Sequence, residues 1–160
     1  MLKIKLINLK NISHCISLLN DKNEDLGYFK KIGWSEKEII NQSTKESNHS
    51  FGLFFNNKLI GFVIGNLIIV DNISEYEIFI LYISKKFRKH GYASYLLDLI
   101  VKDSYKYMLK KIILEVSENN VNAIHFYKKN KFNLVGKRKK YYSNINNLKE
   151  DALIFEKNIN

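Results

Sequence analysis

Residues 75–116 read EYEIFILYISKKFRKHGYASYLLDLIVKDSYKYMLKKIILEV, and this stretch carries the fold. Glu75–Ile83 predicts a strand. A helix then opens near Gly91 and runs to about Met108. Its apolar residues Ala93, Leu96, Leu97, Ile100 and Val101 recur at i, i+3, i+4, i+7 and i+8, a stripe that must face a core. Ile112–Val116 is a short apolar strand. Strand, helix, strand is a βαβ unit, so its two strands are expected to be parallel neighbours joined by a right-handed crossover.

The flanking sequence fills in the rest. Residues 2–9 (LKIKLINL) alternate lysine and aliphatics and predict a strand. Asn11 or Ser13 can cap a helix over 12–20, and 21–33 reads as a loop or broken helix. Ser35, with Glu38 three residues on, forms a capping box for a helix to about residue 46. Phe51–Phe55 and Leu59–Val70, separated by Asn56-Asn57-Lys58, predict an antiparallel hairpin, with Glu75–Ile83 as the third strand of the meander. Asn119 or Asn120 caps a helix to about Asn130. Phe132–Gly136 and Ala152–Lys157 are two last strands separated by a basic, aromatic loop. The order β-α-α-β-β-β-α-β-α-β-β predicts an α/β fold around a mixed central sheet, one domain over residues 1–160.

Composition excludes several classes. Of the 160 residues, 46% are hydrophobic and 26% charged, which is ordinary for a globular chain and excludes disorder. No apolar run reaches the ~18 residues of a membrane span. The first residues lack the apolar stretch and cleavage site of a signal peptide, so a cytoplasmic location and no membrane partner are expected. The single cysteine, Cys15, cannot form an internal disulfide, and His14, His49, His90 and His125 share no ligand spacing, so no metal is expected. The net charge of +10 favours polyanions such as nucleic acid, ribosomes or phosphorylated cofactors. An A+T-rich coding sequence would produce the same excess, because the chain is rich in Lys, Asn and Ile and has no proline. The charge is clustered at Lys85, Lys86, Arg88 and Lys89 and again at Lys128, Lys129, Lys131, Lys137, Arg138, Lys139 and Lys140.

The sharpest local signal is Arg88-Lys89-His90-Gly91-Tyr92-Ala93, between a strand and a helix. A glycine there lets a ligand approach the backbone, and the N–H groups of the helix start make an anion site. A solvated basic turn is the plain alternative. Neither GxxxxGK[ST] nor GxGxxG is present. Downstream, LEVSENNVNAIHFYKKNKF (114–132) sets Glu115 in an apolar strand and Asn120, Ala123 and Tyr127 on the helix after it. Together the two segments resemble motifs A and B of the GNAT acetyltransferase superfamily, with Arg88, Gly91 and Ala93 matching its [QR]-x-x-G-x-[GA] loop. Trp34-Ser35, Leu114-Glu115-Val116, Asn120, Ala123-Ile124, Tyr127, Phe132, Arg138, Tyr141-Tyr142 and Glu150-Asp151-Ala152 extend the likeness. They are closest to the RimI-like ribosomal-protein alanine N-acetyltransferases and their eukaryotic N-terminal acetyltransferase relatives. The resemblance spans roughly 34–156. Lys131, where the family usually has Gly, and the missing prolines depart from it.

The resemblance implies acetyl transfer from acetyl-CoA to a primary amine. It implies cofactor contacts at Leu81, Tyr82 and Ile83, where the strand usually bulges and splays, at Arg88, Lys89, His90, Gly91, Tyr92 and Ala93, and at Asn120 and Tyr127. An ammonium cannot attack a thioester, so a base must take a proton. Glu115, desolvated on an apolar strand, is the candidate, and Tyr127 is the candidate acid for the leaving thiolate. The plain alternatives are a strand-end carboxylate paired with Lys110 or Lys111, and a core tyrosine. Tyr141 and Tyr142 would flank the acceptor backbone, with Trp34 as the opposite wall or as a staple for the following helix. The expected acceptor is a protein N-terminus, with a ribosomal protein as a candidate partner. A small-molecule amine (polyamine, amino acid or antibiotic) and a non-catalytic basic RNA-binding domain are the alternatives. With Glu115, Tyr127 and the 88–93 loop together, no direct nucleic-acid function is expected.

Overall fold

The structure, a computed structural model, describes residues 1–21, 25–143 and 149–159. In chain order the elements are β1 (Leu2–Ile7), α1 (Ser13–Asn20), α2 (Asp25–Lys31), α3 (Glu36–Ser43), β2 (Ser50–Phe55), β3 (Lys58–Val70), β4 (Ile73–Ile83), α4 (Tyr92–Ser104), β5 (Leu109–Ser117), α5 (Val121–Lys129), β6 (Asn133–Ser143) and β7 (Lys149–Asn158). The strands form one sheet in the order β1-β2-β3-β4-β5-β7-β6. Only β4 and β5 are parallel, the pair joined by α4. The other neighbours are antiparallel, so the sheet is mixed as expected.

Local chemistry accounts for the element ends. Asn56 and Asn57 both sit at positive φ (48° and 65°), which closes the β2–β3 hairpin with a turn whose twist matches the strands. Asp71 and Asn72 do the same for β3–β4. Ser35 accepts a hydrogen bond from the Glu38 N–H at 3.3 Å and caps α3, which ends at Ser43 rather than near residue 46. Asn120 caps α5 by accepting from the Ala123 N–H at 3.2 Å. The cap expected for α1 is corrected. Ile12 holds that position without a side-chain bond, because Asn11 is spent in the turn before it, accepting from the Asn8 N–H and donating to the Leu6 carbonyl. α4 stops at Ser104, and a 3-10 turn over Tyr105–Tyr107 leads to Met108 at φ 54°. Of the stretch read as a loop or broken helix, residues 25–31 are the short helix α2, and 22–24 lie outside the described residues. The basic, aromatic loop expected between the last strands is also corrected. Residues 137–143 continue β6 by pairing with β7, and 144–148 lie outside the described residues.

The sheet has a core on each face. Leu96, Leu97 and Ile100 of α4 and Tyr127 of α5 pack with Tyr76, Ile78, Ile112, Leu114 and Phe155. On the other face Cys15, Leu19, Leu26, Phe29 and Ile39 of α1–α3 pack with Phe54, Phe62, Ile80 and Tyr82. Burial pushes the Cys15 thiol up to about 12. Ile78 and Ile80 belong to opposite cores although they are two residues apart on one strand, where regular alternation would put them on the same face. The register explains this. Gly65 pairs with Ile78 and Ile64 with Ile80, so Phe79 is an extra residue, a β-bulge that turns over the end of β4.

Gly65 makes this bulge possible. A Cβ there would stand 2.6 Å from the Glu77 carbonyl oxygen and 2.5 Å from the Tyr76 hydroxyl. Its own N–H and C=O are held by Ser50 Oγ (3.1 Å) and the His49 N–H (2.9 Å), so the backbone cannot back away. Gly65→Ala is expected to cost about 1–3 kcal/mol by overpacking, to be read as a lower denaturant midpoint at unchanged m-value.

Candidate active site

The bulge at Phe79 has a consequence one strand over. Pairing between β4 and β5 runs from Ser74↔Leu109 to Ile78↔Leu114 and stops there. β5 continues on its other side, paired with β7 up to Ser117↔Ala152. Residues 79–83 and 115–117 therefore splay apart. The Ser84 N–H donates back to the Ile60 carbonyl on β3, and the alternation of a strand then turns the N–H and C=O groups of Leu81 and Ile83 towards the gap. A cleft of about 1090 Å³ opens there. Leu81, Tyr82, Ile83, Arg88, Lys89, Gly91, Tyr92, Ala93, Asn120 and Tyr127 all line it.

One end of the cleft is built for an anion. Gly91 is the N-cap of α4 at φ 80°, a left-handed conformation that a side chain would strain. A Cβ at Gly91 would meet nothing within 4 Å, so the space above it is open. The first intrahelical bond of α4 runs from the Tyr95 N–H to the Gly91 carbonyl at 3.0 Å. The N–H groups of Tyr92, Ala93 and Ser94 are thus unused by the helix and lie at its positive end. Lys89 (φ 65°) and Lys129 add cations to the lining. Arg88 braces the loop: its Nε donates to the Ile83 carbonyl at 2.8 Å and its guanidinium lies 5.4 Å from the Tyr82 ring centre. The His90 side chain, assigned to the cofactor in the sequence, is not in the cleft lining. Its Nδ1 bonds the Arg88 carbonyl at 2.7 Å and its ring stacks on Tyr92, so it shapes the turn from outside.

The opposite wall is α5. The Tyr127 ring packs against Phe126, Phe132 and Phe155, so it is a core residue as well as a cleft residue. Burial, then Tyr28 and Tyr142, push its hydroxyl well above the ordinary tyrosine range. Asn120 donates from Nδ2 to the Tyr28 hydroxyl at 3.3 Å, tying α2 across the mouth of the splay. Tyr28 and Phe29 thereby join the lining.

Glu115 sits on the sheet face turned away from the α4–α5 core. Its side chain is 21% exposed, and Arg138 Nε lies 2.9 Å from its Oε1. The cation beside it is thus Arg138, and Lys111, one of the two lysines named as alternative partners, is engaged elsewhere, with Glu75 (3.0 Å) and Glu156 (3.5 Å). Arg138 reaches Glu115 across β7, where Ala152 pairs with Arg138 and Ile154 with Glu115. On β4 beside it, burial and then the Glu115 charge push the Glu77 carboxyl up. Tyr142 is buried, and burial and then Glu115 raise its hydroxyl too. Tyr141 is half exposed, 5.0 Å from the Tyr142 ring and 5.2 Å from the Arg138 guanidinium. Trp34 packs on Phe79, the bulged residue, at 5.1 Å. The two tyrosines are on β6, not a loop. A second bulge presents them: between Arg138↔Ala152 and Tyr142↔Glu150, residues Lys139, Lys140 and Tyr141 stand opposite Asp151 alone.

Residues 16–132 match the model of the Acetyltransferase (GNAT) family. This chain belongs to that family. Several solved structures are similar to this acetyltransferase over its whole length. The ribosomal-protein-S18-alanine N-acetyltransferase of Escherichia coli has a TM-score of 0.81 at 23% identity, over 99% of this chain and 94% of that one. Arabidopsis thaliana NAA60 in complex with acetyl-CoA has 0.78 at 20%, over 99% of each chain. Arabidopsis thaliana Naa50 in complex with the bisubstrate analogue CoA-Ac-MVNAL has 0.72 at 22%, over 99% of each.

The acetyltransferase uses acetyl-CoA as acetyl donor, and its own residues fit that molecule. The side-chain-free Gly91, the unused N–H groups of α4 and the lysines suit a pyrophosphate. The backbone of Leu81–Ile83 on one side and α5 on the other suit an extended amide arm. Tyr28 and Glu77 escaped the sequence reading. Tyr28 lay in a stretch without periodicity. Glu77 was legible only as the polar side of an alternating strand, and its closeness to Glu115 depends on the parallel pairing. Gly91→Asp is expected to fold, because its Cβ is unobstructed and Asp tolerates left-handed backbone, yet to lose acetyl-CoA affinity through charge and bulk. Calorimetry on the folded variant checks this, and unchanged affinity would defeat the assignment.

Proposed function

We propose that this enzyme acetylates the α-amino group at a protein N-terminus, with Glu115 as general base and Tyr127 as general acid. One observation carries the reading. Where the pairing of β4 and β5 ends, the carboxylates Glu77 and Glu115 lie close together on one face of the sheet, and the buried Tyr127 lines the cleft on the other. An amine and a thioester that meet in the gap are each beside the group they need.

Bound acetyl-CoA supplies an activated acyl group. The incoming ammonium is drawn to the two carboxylates, and Glu115 takes its proton directly or through water. Arg138 engages Oε1 of Glu115, and the second oxygen is available for this transfer. The N–H groups on the gap side of Leu81 and Ile83 donate to the thioester oxygen as charge grows on it. The amine forms the amide bond as the carbon–sulfur bond breaks, and Tyr127 gives its proton to the leaving sulfur. The second proton of the attacking nitrogen passes through water to restore the Tyr127 hydroxyl, while Glu115 releases its proton to solvent. A hydroxyl raised by burial is fully protonated at neutral pH and can donate.

A protein acceptor is supported by the names of the similar structures, an S18-alanine N-acetyltransferase and an N-terminal peptide bisubstrate complex. Tyr141, Tyr142 and Trp34 would frame the peptide backbone at the entrance. An α-amine, with a reference pKa near 8 against about 10.4 for lysine, is more often neutral at pH 7 and is within reach of a carboxylate base. The first of those names suggests a ribosomal protein, and a cytoplasmic setting goes with it. Among the described residues no helix is long and apolar enough to cross a membrane.

Glu115→Gln is expected to lower the rate roughly 10²–10⁴-fold, most at low pH, where more of the amine is protonated. Tyr127→Phe keeps the packed ring and removes the hydroxyl alone. Wild-type turnover by both variants would reject the mechanism. Peptides carrying a free N-terminus and internal lysines, incubated with acetyl-CoA, should carry the acetyl group on the α-amine by mass spectrometry. Label on lysines, or on added small amines alone, would reject the acceptor.

A further inference from the structure

Among the described residues, eight other than glycine hold a positive φ: Asn56, Asn57, Asp71, Asn72, Lys89, Met108, Lys131 and Lys140. Asparagine and aspartate at the hairpin turns are the side chains that tolerate this region best. Lysine is not favoured there. A+T-rich coding does not explain its presence, because asparagine and lysine codons are equally A+T-rich, and asparagine would relieve the strain. At Lys140 (φ 55°) the strained position lies in the β6 bulge beside the acceptor side of the site.

The bulge is held from beneath. Asp151 accepts from the Lys140 N–H at 2.7 Å and pairs with Lys137 at 2.7 Å, and Lys137 also pairs with Glu118 at 3.0 Å. Both carboxyls are held below their usual range, Asp151 by Lys137 first and Glu118 by the Asp151 backbone N–H first. These acids are thus committed to the backbone and to Lys137, and the Lys139 charge adds a smaller pull on Asp151. Lys139 and Lys140 are exposed, and apart from the long-range pull of Lys139 on Asp151 no salt bridge among the described residues takes up either side chain. The surface is therefore polar in one direction. Carboxylates Glu77 and Glu115 lie together where the β4–β5 pairing ends, and the exposed Lys139 and Lys140 follow Arg138 in the β6 bulge, next to Tyr141.

We propose that Lys139 and Lys140 form a subsite for carboxylates in the first few residues of the acceptor, so that the enzyme selects N-termini followed by an acidic segment. This rests on the proposed acetylation of protein N-termini and narrows it, among ribosomal and other proteins alike. The acceptor presents an ammonium at its end and negative charge behind it. The site presents the opposite order, and a peptide entering backwards or carrying lysines behind its N-terminus meets like charge.

Three synthetic peptides test this. They share the same first two residues and differ in residues three to six, which are all Glu, all Gln or all Lys. In wild type at low salt, kcat/KM for the Glu peptide should exceed that for the Gln peptide roughly three- to tenfold, the scale of two exposed ion pairs. The ratio should fall towards one as salt is raised. In the double variant Lys139→Gln, Lys140→Asn, the ratio should be near one at low salt. Asparagine keeps the left-handed backbone, and a ratio taken within one enzyme cancels any general loss of activity. A wild type indifferent to peptide charge, or a double variant that retains the preference, overturns the subsite. If no peptide is acetylated, the acceptor reading fails by itself, and fluorescence anisotropy then decides the subsite: tighter binding of labelled Glu peptide than Gln peptide, lost in the double variant, sustains it, and equal binding overturns it. A wild type indifferent to peptide charge whose double variant binds an RNA oligonucleotide more weakly also overturns it, assigning the lysines to nucleic acid.

Discussion

The one extra residue at Phe79 is the constraint on which the active site depends. A regular β4 would pair with β5 along its whole length, and the sheet would have no opening. The bulge ends the pairing at Ile78↔Leu114 and rotates the following residues, so that Ile80 and Tyr82 enter one core while Leu81 and Ile83 face the other. The bulge needs a glycine opposite it at residue 65, fixed in turn by Ser50 and His49. Backbone groups that a sheet would consume are left facing the cleft, where a ligand can use them. Burying unpaired N–H groups is costly in a closed core, and here that cost is offset by solvent or substrate in the open gap.

The two faces of the splay divide the chemistry. The α4–α5 side supplies backbone N–H groups, a helix N-terminus and lysines, a setting for phosphates and amides. The other side supplies Glu77, Glu115, Arg138 and Tyr142, the side on which the proposed function puts the amine. Tyr127 belongs to the first face by packing but is close enough to Tyr28 and Tyr142 for their charges to affect its hydroxyl. Tyr28 and Asn120 hold the mouth from α2 and α5. The site is thus assembled from both halves of the domain, and each half also supplies one of its cores.

The second bulge, in β6, does for the acceptor side what Phe79 does for the cofactor side. It begins just past Arg138, which the regular pairing with Ala152 sets beside Glu115, and brings Tyr142 opposite Glu150; it is secured by Asp151 and Lys137 rather than by glycine. Both irregularities fall at the same end of the sheet. Smaller register shifts at Leu53/Phe54, Ser74/Glu75 and Leu134/Gly136 leave the β4–β5 pairing up to Ile78↔Leu114 and the β5–β7 pairing intact, with Tyr76, Ile112 and Phe155 fully buried.

The amino-acid sequence by itself determined the strand–helix–strand unit of residues 75–116, the hairpin closed by Asn56-Asn57, the caps at Ser35 and Asn120, and the glycine loop before α4. Each of these rests on interactions between residues near in sequence: periodicity, turn preference and helix capping. It also marked Glu115 and Tyr127 through their family spacing. Only the tertiary structure decided what surrounds them. Arg138 reaches Glu115 across β7, Glu77 comes beside it through a parallel pairing, and Tyr28 meets Asn120 from a segment 92 residues away. The His90 side chain turned out of the cleft because the nearby Arg88 carbonyl and the Tyr92 ring hold it. The stretch after Gly136 became a strand because β7 offered it a ladder to extend. Partners of this kind are set by strand order and register, which no local pattern of residues encodes.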